Sequence, residues 1–315
     1  MNNVQKQHFV PQCYLKNFAN KDTLFVLDKI EKSIYQSHVK NVAQQRYFND
    51  FPDSFLPEEL RDKTKSQFIE HDLAKEESRF RDFLKLVIDC LEEIEKNNLF
   101  DSLGVLDEEE KKNFSGFLAL QLVRTSMLRG QFKEIFQSLD DLKKRMDQAL
   151  FNNKINIQKN SFPSPKPSSN SIYFDDLLKV SIEEDSIAQH LFYISNILDQ
   201  GSDSEISKIL SSHIWFFGVN STSIPLWTSD NPIAIKPHED FGTGVASHGV
   251  QVVYPISSKH LLIMFESNFW NKLKNYDGMS IPLSENDVKL YNKIQANQCY
   301  RQTYSSEKNF ELLLT

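Results

Sequence analysis

Glycine is scarce in this chain, with 9 residues in 315. Neither G-x-G-x-x-G nor G-x-x-x-x-G-K-[ST] occurs, so the common backbone loops that cradle phosphates are excluded. Cysteine is scarcer still. Cys13, Cys90 and Cys299 are far apart and odd in number, with no C-x-x-C, and they indicate neither a disulfide framework nor a zinc ribbon. The eight histidines form no H-E-x-x-H and no H-x-H, which leaves a preset zinc site without support. No G-x-S-x-G marks a nucleophilic serine. No run of about eighteen apolar residues is present, and the opening MNNVQKQHFV lacks the apolar core of a signal peptide. Positive charge is also short: 36 Lys and Arg against 43 Asp and Glu give a net charge of −7. That balance disfavours a broad nucleic-acid coat or a polybasic membrane face and leaves room only for a local basic groove. A soluble, cytoplasmic protein with no membrane contact is expected.

What is present builds a core. Hydrophobic residues make up 40% of the chain, 24 of them Phe, and charged residues 25%, the balance of a globular fold that needs no disulfides or structural metal. Short β-prone runs at 24–27 and 33–36 flank the polar DKIEK and predict a hairpin. From about Lys63 to Asn97 an apolar stripe at 73, 80, 84, 87, 91 and 94 predicts a long helix. Asp107 and Glu110 form a capping-box pattern ahead of FSGFLALQLVRTSML, apolar nearly all round and therefore a buried helix. The amphipathic FKEIFQSLDDLKKRMDQAL continues that helix or packs beside it. Residues 152–172 form a Pro/Ser/Asn-rich loop. A helical pattern resumes over about Phe174 to Leu198, and then the period shifts toward two. HIWFFGVN, IAIKP, QVVYPI, HLLIMFE and CYRQTYSS read as strands, and a last helix runs from Glu285 to Gln298 with Ser284 as N-cap. The expectation is an α+β fold, long helices packed on one face of a mostly antiparallel sheet. The hairpin and helical part at 1–151 and the helix, strands and last helix at 173–315 would form one large domain.

A few polar residues occupy positions where a core is expected. Extended backwards, the stripe of the long helix takes in Glu70 and Glu77, two turns and roughly 10 Å apart on one face. A helix leaving the core at its N-terminal end would expose both; a polar pocket would need them. Gln121 and Arg124, three apart in the buried helix, require partners, and Glu70 or Glu77 can serve Arg124 across a helix contact. A purely structural ion pair would present the same residues. Thr228-Ser229-Asp230-Asn231-Pro232 reads as a turn between strands, and Asn292 with Gln295 as amide links from the last helix to a strand.

The opening His8-Phe9-Val10-Pro11-Gln12-Cys13-Tyr14-Leu15-Lys16-Asn17-Phe18 resembles a mainly bacterial family described as domain of unknown function 4238, whose members open H-[FY]-[VI]-P-x-x-Y-L-x-x-F. The resemblance continues at Leu24-Phe25-Val26 with Asp28, Tyr47-Phe48, Glu70 with Glu77, Gln121-x-x-Arg124-Thr125, Thr228-Ser229-Asp230-Asn231-Pro232, Tyr254-Pro255-Ile256 and around Asn292. It spans nearly the whole chain outside the Pro/Ser segment and brings no established activity with it. It implies that His8, Gln12, Tyr14, Glu70, Glu77, Gln121, Arg124, Asp230 and Asn231 share one site, with Asn292 beside it. Two readings follow. In the first the protein is a nuclease-like hydrolase. Glu70, Glu77 and Asp230 are metal ligands for Mg²⁺ or Mn²⁺, or general base; His8 is the acid–base group, and Arg124 sits on the phosphate of a nucleic acid or nucleotide. In the second it is a non-enzymatic ligand-sensing or partner-binding protein. Its polar cluster is then structural, or holds a small anion or nucleotide through residues such as Gln12, Tyr14, Gln121, Asn231 and Asn292.

Overall fold

Alternation of large apolar side chains organises the centre of the molecule. In the strand Ile214–Val219 (β5), Trp215, Phe217 and Val219 join one apolar cluster, while Ile214 and Phe216 join another on the opposite side. The same split runs through Gln251–Pro255 (β8) and His260–Phe265 (β9), so these strands are covered on both faces and read as continuous hydrophobic runs. With Ala234–Lys236 (β7) and Met279–Pro282 (β10) they form a five-stranded sheet in the order β10-β5-β9-β8-β7. Every neighbour pair in it is antiparallel except β10 with β5, which is parallel.

The computed structural model describes residues 4–50, 67–100, 102–152, 186–238, 242 and 244–310. One face of the sheet receives Phe68–Asn97 (α2) and Glu108–Val123 (α3), through Phe80, Leu84, Val87, Leu91, Ile94, Phe114 and Leu118. The other receives Glu285–Gln298 (α7), through Val288 and Tyr291. The fold is α+β, but helices lie on both faces of the sheet rather than one, because β5, β8 and β9 are apolar on both sides. Ser126–Asn152 (α4) and Ser186–Gln200 (α5) pack beside α3 and the start of α2 in a satellite cluster that includes Ile69, Leu73, Val123, Leu191 and Ile194. Glu205–Ser211 (α6) then leads into β5.

The hairpin forms as expected, from Thr23–Asp28 (β2) and Ser33–His38 (β3). Asp28 Oδ1 accepts from Ile30 N and Glu31 N at 3.0 and 3.1 Å and so shapes its turn. A four-stranded sheet, β3-β2-β11-β6, adds Gln302–Ser305 (β11) and Thr228–Ser229 (β6). Lys6–His8 (β1) pairs with Gln44–Arg46 (β4), and the short helix Gln12–Leu15 (α1) follows. Both capping boxes are present, Asp107 with Glu110 and Ser284 with Asp287. A single apolar cluster runs from Phe9 to Tyr304, which joins the two halves of the chain in one domain. The Pro/Ser/Asn-rich loop, apart from its first residue, and the helical pattern before Ser186 lie outside the described residues. Among the described residues, no helix is long and apolar enough to cross a membrane.

Candidate functional site

The apolar stripe of α2 is buried at Leu73, Phe80, Leu84, Val87, Leu91 and Ile94. In its first turn Ile69 takes the buried position, which leaves Glu70 and Glu77 half-buried along the edge of the stripe. The edge faces the C-terminal end of α3. Arg124 is the residue that ends this helix, where a cation is favoured by the unpaired carbonyls. Its guanidinium is 2.6 Å from Glu77 Oε1 and donates to His8 O at 2.6 Å. One turn earlier, Gln121 Nε2 donates to Phe9 O at 3.2 Å. The opening segment is therefore docked onto α3 by two side chains that grip its backbone.

Around this junction the hydrogen bonding is incomplete. Arg124 Nε, Gln121 Oε1 and Asn49 Oδ1 are buried without a partner among the described residues, whereas His8 interacts with the backbone of Val39 and Lys40, and the Tyr254 hydroxyl with the Tyr14 hydroxyl. Arg124 and Gln121 are both 2% exposed, so water does not reach them freely, and unpaired buried polar atoms are costly. Asn49 Nδ2 donates to Glu70 Oε2 at 2.7 Å, and Gln12 Nε2 lies 3.5 Å from His8 Nδ1. Burial raises the pKa of Glu70 against the pull of Asn49 and Arg124. Burial lowers that of His8, with Glu77 pulling it up and Arg124 pushing it down. Burial also drives the Tyr254 hydroxyl well above its usual range, helped by Tyr14 and Cys13. A slot of about 10 Å³, lined by Pro11, Glu77, Gln121 and Arg124 among others, opens beside the ion pair and has room for about one water. Glu76, Phe117 and Leu120 are shared between this slot and a groove of about 410 Å³ between α2, α3 and residues 197–202.

The residues expected in one site divide into two groups. His8, Gln12, Glu70, Glu77, Gln121 and Arg124 come together. Tyr14 is fully buried behind them, its hydroxyl 2.6 Å from Thr228 Oγ1 and donating to Pro255 O at 2.7 Å, with its ring stacked on Tyr254. Asp230, Asn231 and Asn292 belong elsewhere. Asp230 accepts from the backbone N–H groups of Tyr300, Arg301 and Gln302 at 2.7–2.9 Å, which fixes the turn from α7 into β11. Burial lifts its pKa to about 6 against these donors. Asn231 donates to Gln298 O, and Asn292 accepts from Trp227 N and donates to Pro225 O. Thr228–Ser229 is a strand, β6, rather than part of the turn that begins at Asp230.

Metal ligation by Glu70, Glu77 and Asp230 finds no donor set here. Glu70 is bonded to Asn49, Glu77 to Arg124 and Asp230 to backbone, and among the described residues no three His, Cys, Asp or Glu side chains are grouped to hold a metal ion. Asn49 escaped the sequence pattern, and Tyr254, part of the Tyr254-Pro255-Ile256 stretch of the resemblance, was not expected in the site. Asn49 lies in a segment without periodicity, and Tyr254 in a strand where an aromatic reads as core. The family model described as Protein of unknown function (DUF4238) matches residues 6–309. No curated protein and no solved structure matches the chain.

Proposed function

The chain belongs to this family of unknown function, which carries no activity to it, so its function rests on its own atoms, and we propose that the cluster around Arg124 binds a small, uncharged, polar ligand. The observation that carries this reading is the concentration of partnerless buried atoms at one junction. The bonds their amide groups already make leave Gln121 Oε1 and Asn49 Oδ1 as acceptors and Arg124 Nε as a donor. A ligand edge that both donates and accepts, as in an amide or a nucleobase, would satisfy such a set. An anion fits it less well. Glu77 already neutralises Arg124, and the raised pKa of Glu70 reports a place where further negative charge is disfavoured. The slot holds about one water as it stands, so the ligand enters from the adjoining groove by displacing side chains at Glu76, Phe117 and Leu120.

One observation supports a catalytic alternative. Burial lowers the pKa of the His8 imidazole, close to Glu77, and a neutral imidazole can take a proton. Thermal melting separates the readings, because a ligand that binds only the folded chain raises its melting temperature. Wild type and Gln121→Leu would be melted with nucleobases, nucleosides and amino-acid amides, and with nucleotides as anionic controls. The binding reading expects a rise with an uncharged compound that disappears in Gln121→Leu. It is abandoned if only anions shift the transition, or if the rise survives the substitution. Cleavage of RNA or DNA, with and without EDTA, that is lost in His8→Ala would move the assignment to hydrolysis.

A further inference from the structure

On the far side of the opening segment lies a groove of about 620 Å³, lined by Gln12, Cys13, Lys16, Asn17, Arg81, Leu84, Lys85 and Ile88. It has the size of an ordinary small-molecule site. Its charge runs against the rest of the molecule. A chain of net charge −7 sets three cations and no carboxylate around this one opening. Arg81 and Lys85 stand four residues apart on α2, a spacing that holds two like charges side by side and is unfavourable without an anion between them. Lys16 approaches from the segment after α1, opposite them. The neutralisation available within the chain is slight. Lys16 pairs with Asp22 at 3.3 Å and Arg81 with its neighbour Asp82 at 3.0 Å, both in solvent, and Lys85 makes no ion pair among the described residues. Neither aspartate lines the groove. Between the cations, partly exposed Ile88 provides an apolar floor with buried Leu84 behind it, and the amides of Gln12 and Asn17 stand at the wall.

We propose that this groove binds an organic phosphate, a phosphate monoester whose dianion sits among Lys16, Arg81 and Lys85 while its apolar body lies on Ile88. The site shares Gln12 with the cluster around Arg124 but binds through other charged side chains and does not depend on the reading given to that cluster. A compact dianion relieves the repulsion between Arg81 and Lys85, and the floor selects for a substituent that bare phosphate lacks.

Isothermal titration of the full-length protein at low salt, with phenyl phosphate and with inorganic phosphate, tests this. Phenyl phosphate should bind about tenfold more tightly than inorganic phosphate, the factor expected from burying part of one ring. Added salt should weaken both. The double substitution Arg81→Gln with Lys85→Gln should lower the affinity for phenyl phosphate about tenfold or more. Both side chains are exposed, so the melting temperature should not move. Lys16→Gln, on a different element, gives an independent loss should the double variant fold poorly. The proposal is overturned if neither compound binds, if phenyl phosphate shows no preference over inorganic phosphate, or if the cation substitutions leave the affinity unaltered.

Discussion

At the scale of single residues, the Arg124–Glu77 pair is unequal in its burial, and this decides which substitution costs more. The guanidinium is 3% exposed and the carboxylate 29%. Removing Arg124 leaves a carboxylate that can turn to water. Removing Glu77 leaves a cation sealed in protein. The sequence pattern predicts a cost for Arg124→Leu through a stranded charge, and the exposures place the larger stranded-charge cost at Glu77. Glu77→Gln should cost about 3 kcal/mol, since it breaks a pair whose remaining partner cannot hydrate. Arg124→Met should cost nearer about 1–2 kcal/mol, chiefly for the unpaired carbonyl of His8. Urea unfolding of both variants checks the order, and a larger loss in Arg124→Met would show that the stranded cation is not the dominant effect.

Among the elements, α7 shows how polar side chains hold a helix to a sheet. Its apolar side reaches the five-stranded sheet through Val288 and Tyr291, while Asn292 and Gln295 on the same helix meet the segment 225–232. Asn292 satisfies Trp227 N at 2.8 Å and Pro225 O at 2.9 Å; Gln295 accepts from Ser229 Oγ at 3.0 Å and donates to Pro232 O at 2.6 Å. Asn292→Leu keeps the volume and strands one buried N–H and one C=O, so a loss of about 3 kcal/mol is expected in urea or thermal unfolding. A loss under about 1 kcal/mol would show that water replaces the amide. The span of α7 was legible because Ser284 reads as its N-cap and a helical pattern follows. The β2–β3 hairpin was legible because two short β-prone runs flank a polar turn. The strands β1, β4, β6 and β10 were not. Two to four residues carry no period, and what makes these strands is pairing with distant chain, as Thr303 pairs with Ser229. The same distant pairing sets the direction of Asp230. Its burial could be read from its apolar surroundings, but its use by the backbone of residues 300–302 could not.

For the molecule as a whole, the helical half of the candidate site was legible and the rest was not. A polar residue in an apolar stripe is visible along one helix, and two such helices in contact gave Glu77 and Arg124. Asn49 and Tyr254 depend on how non-periodic chain and a sheet are laid against those helices. Stability against acid is a property of the same whole-molecule packing. His190 accepts from Arg129 Nε at Nδ1, and its Nε2 donates to Val123 O, so the buried ring is neutral in the fold. His260 bonds Ser257 through Nδ1 in the turn between β8 and β9. Burial depresses each pKa from 6.5 to about 4, Arg129 adding to the effect at His190 and Glu95 opposing it at His260. As pH falls below 6.5 the unfolded chain takes up these protons first. Each histidine therefore contributes stability that is complete above 6.5 and is lost toward pH 4, about 3 kcal/mol apiece. Asp230 acts in the opposite sense. Its raised pKa makes the folded chain the better proton binder between 3.8 and about 6, and it offsets part of that loss. Comparison with variants removes this offset, because Asp230 is common to all of them. Stability measured in urea from pH 7 down to 4.5 should fall less steeply in His190→Gln and in His260→Gln than in wild type, whatever each substitution costs at neutral pH. Curves that stay parallel to wild type would mean that these rings already carry a proton in the folded protein, and with it that the packing around them admits water.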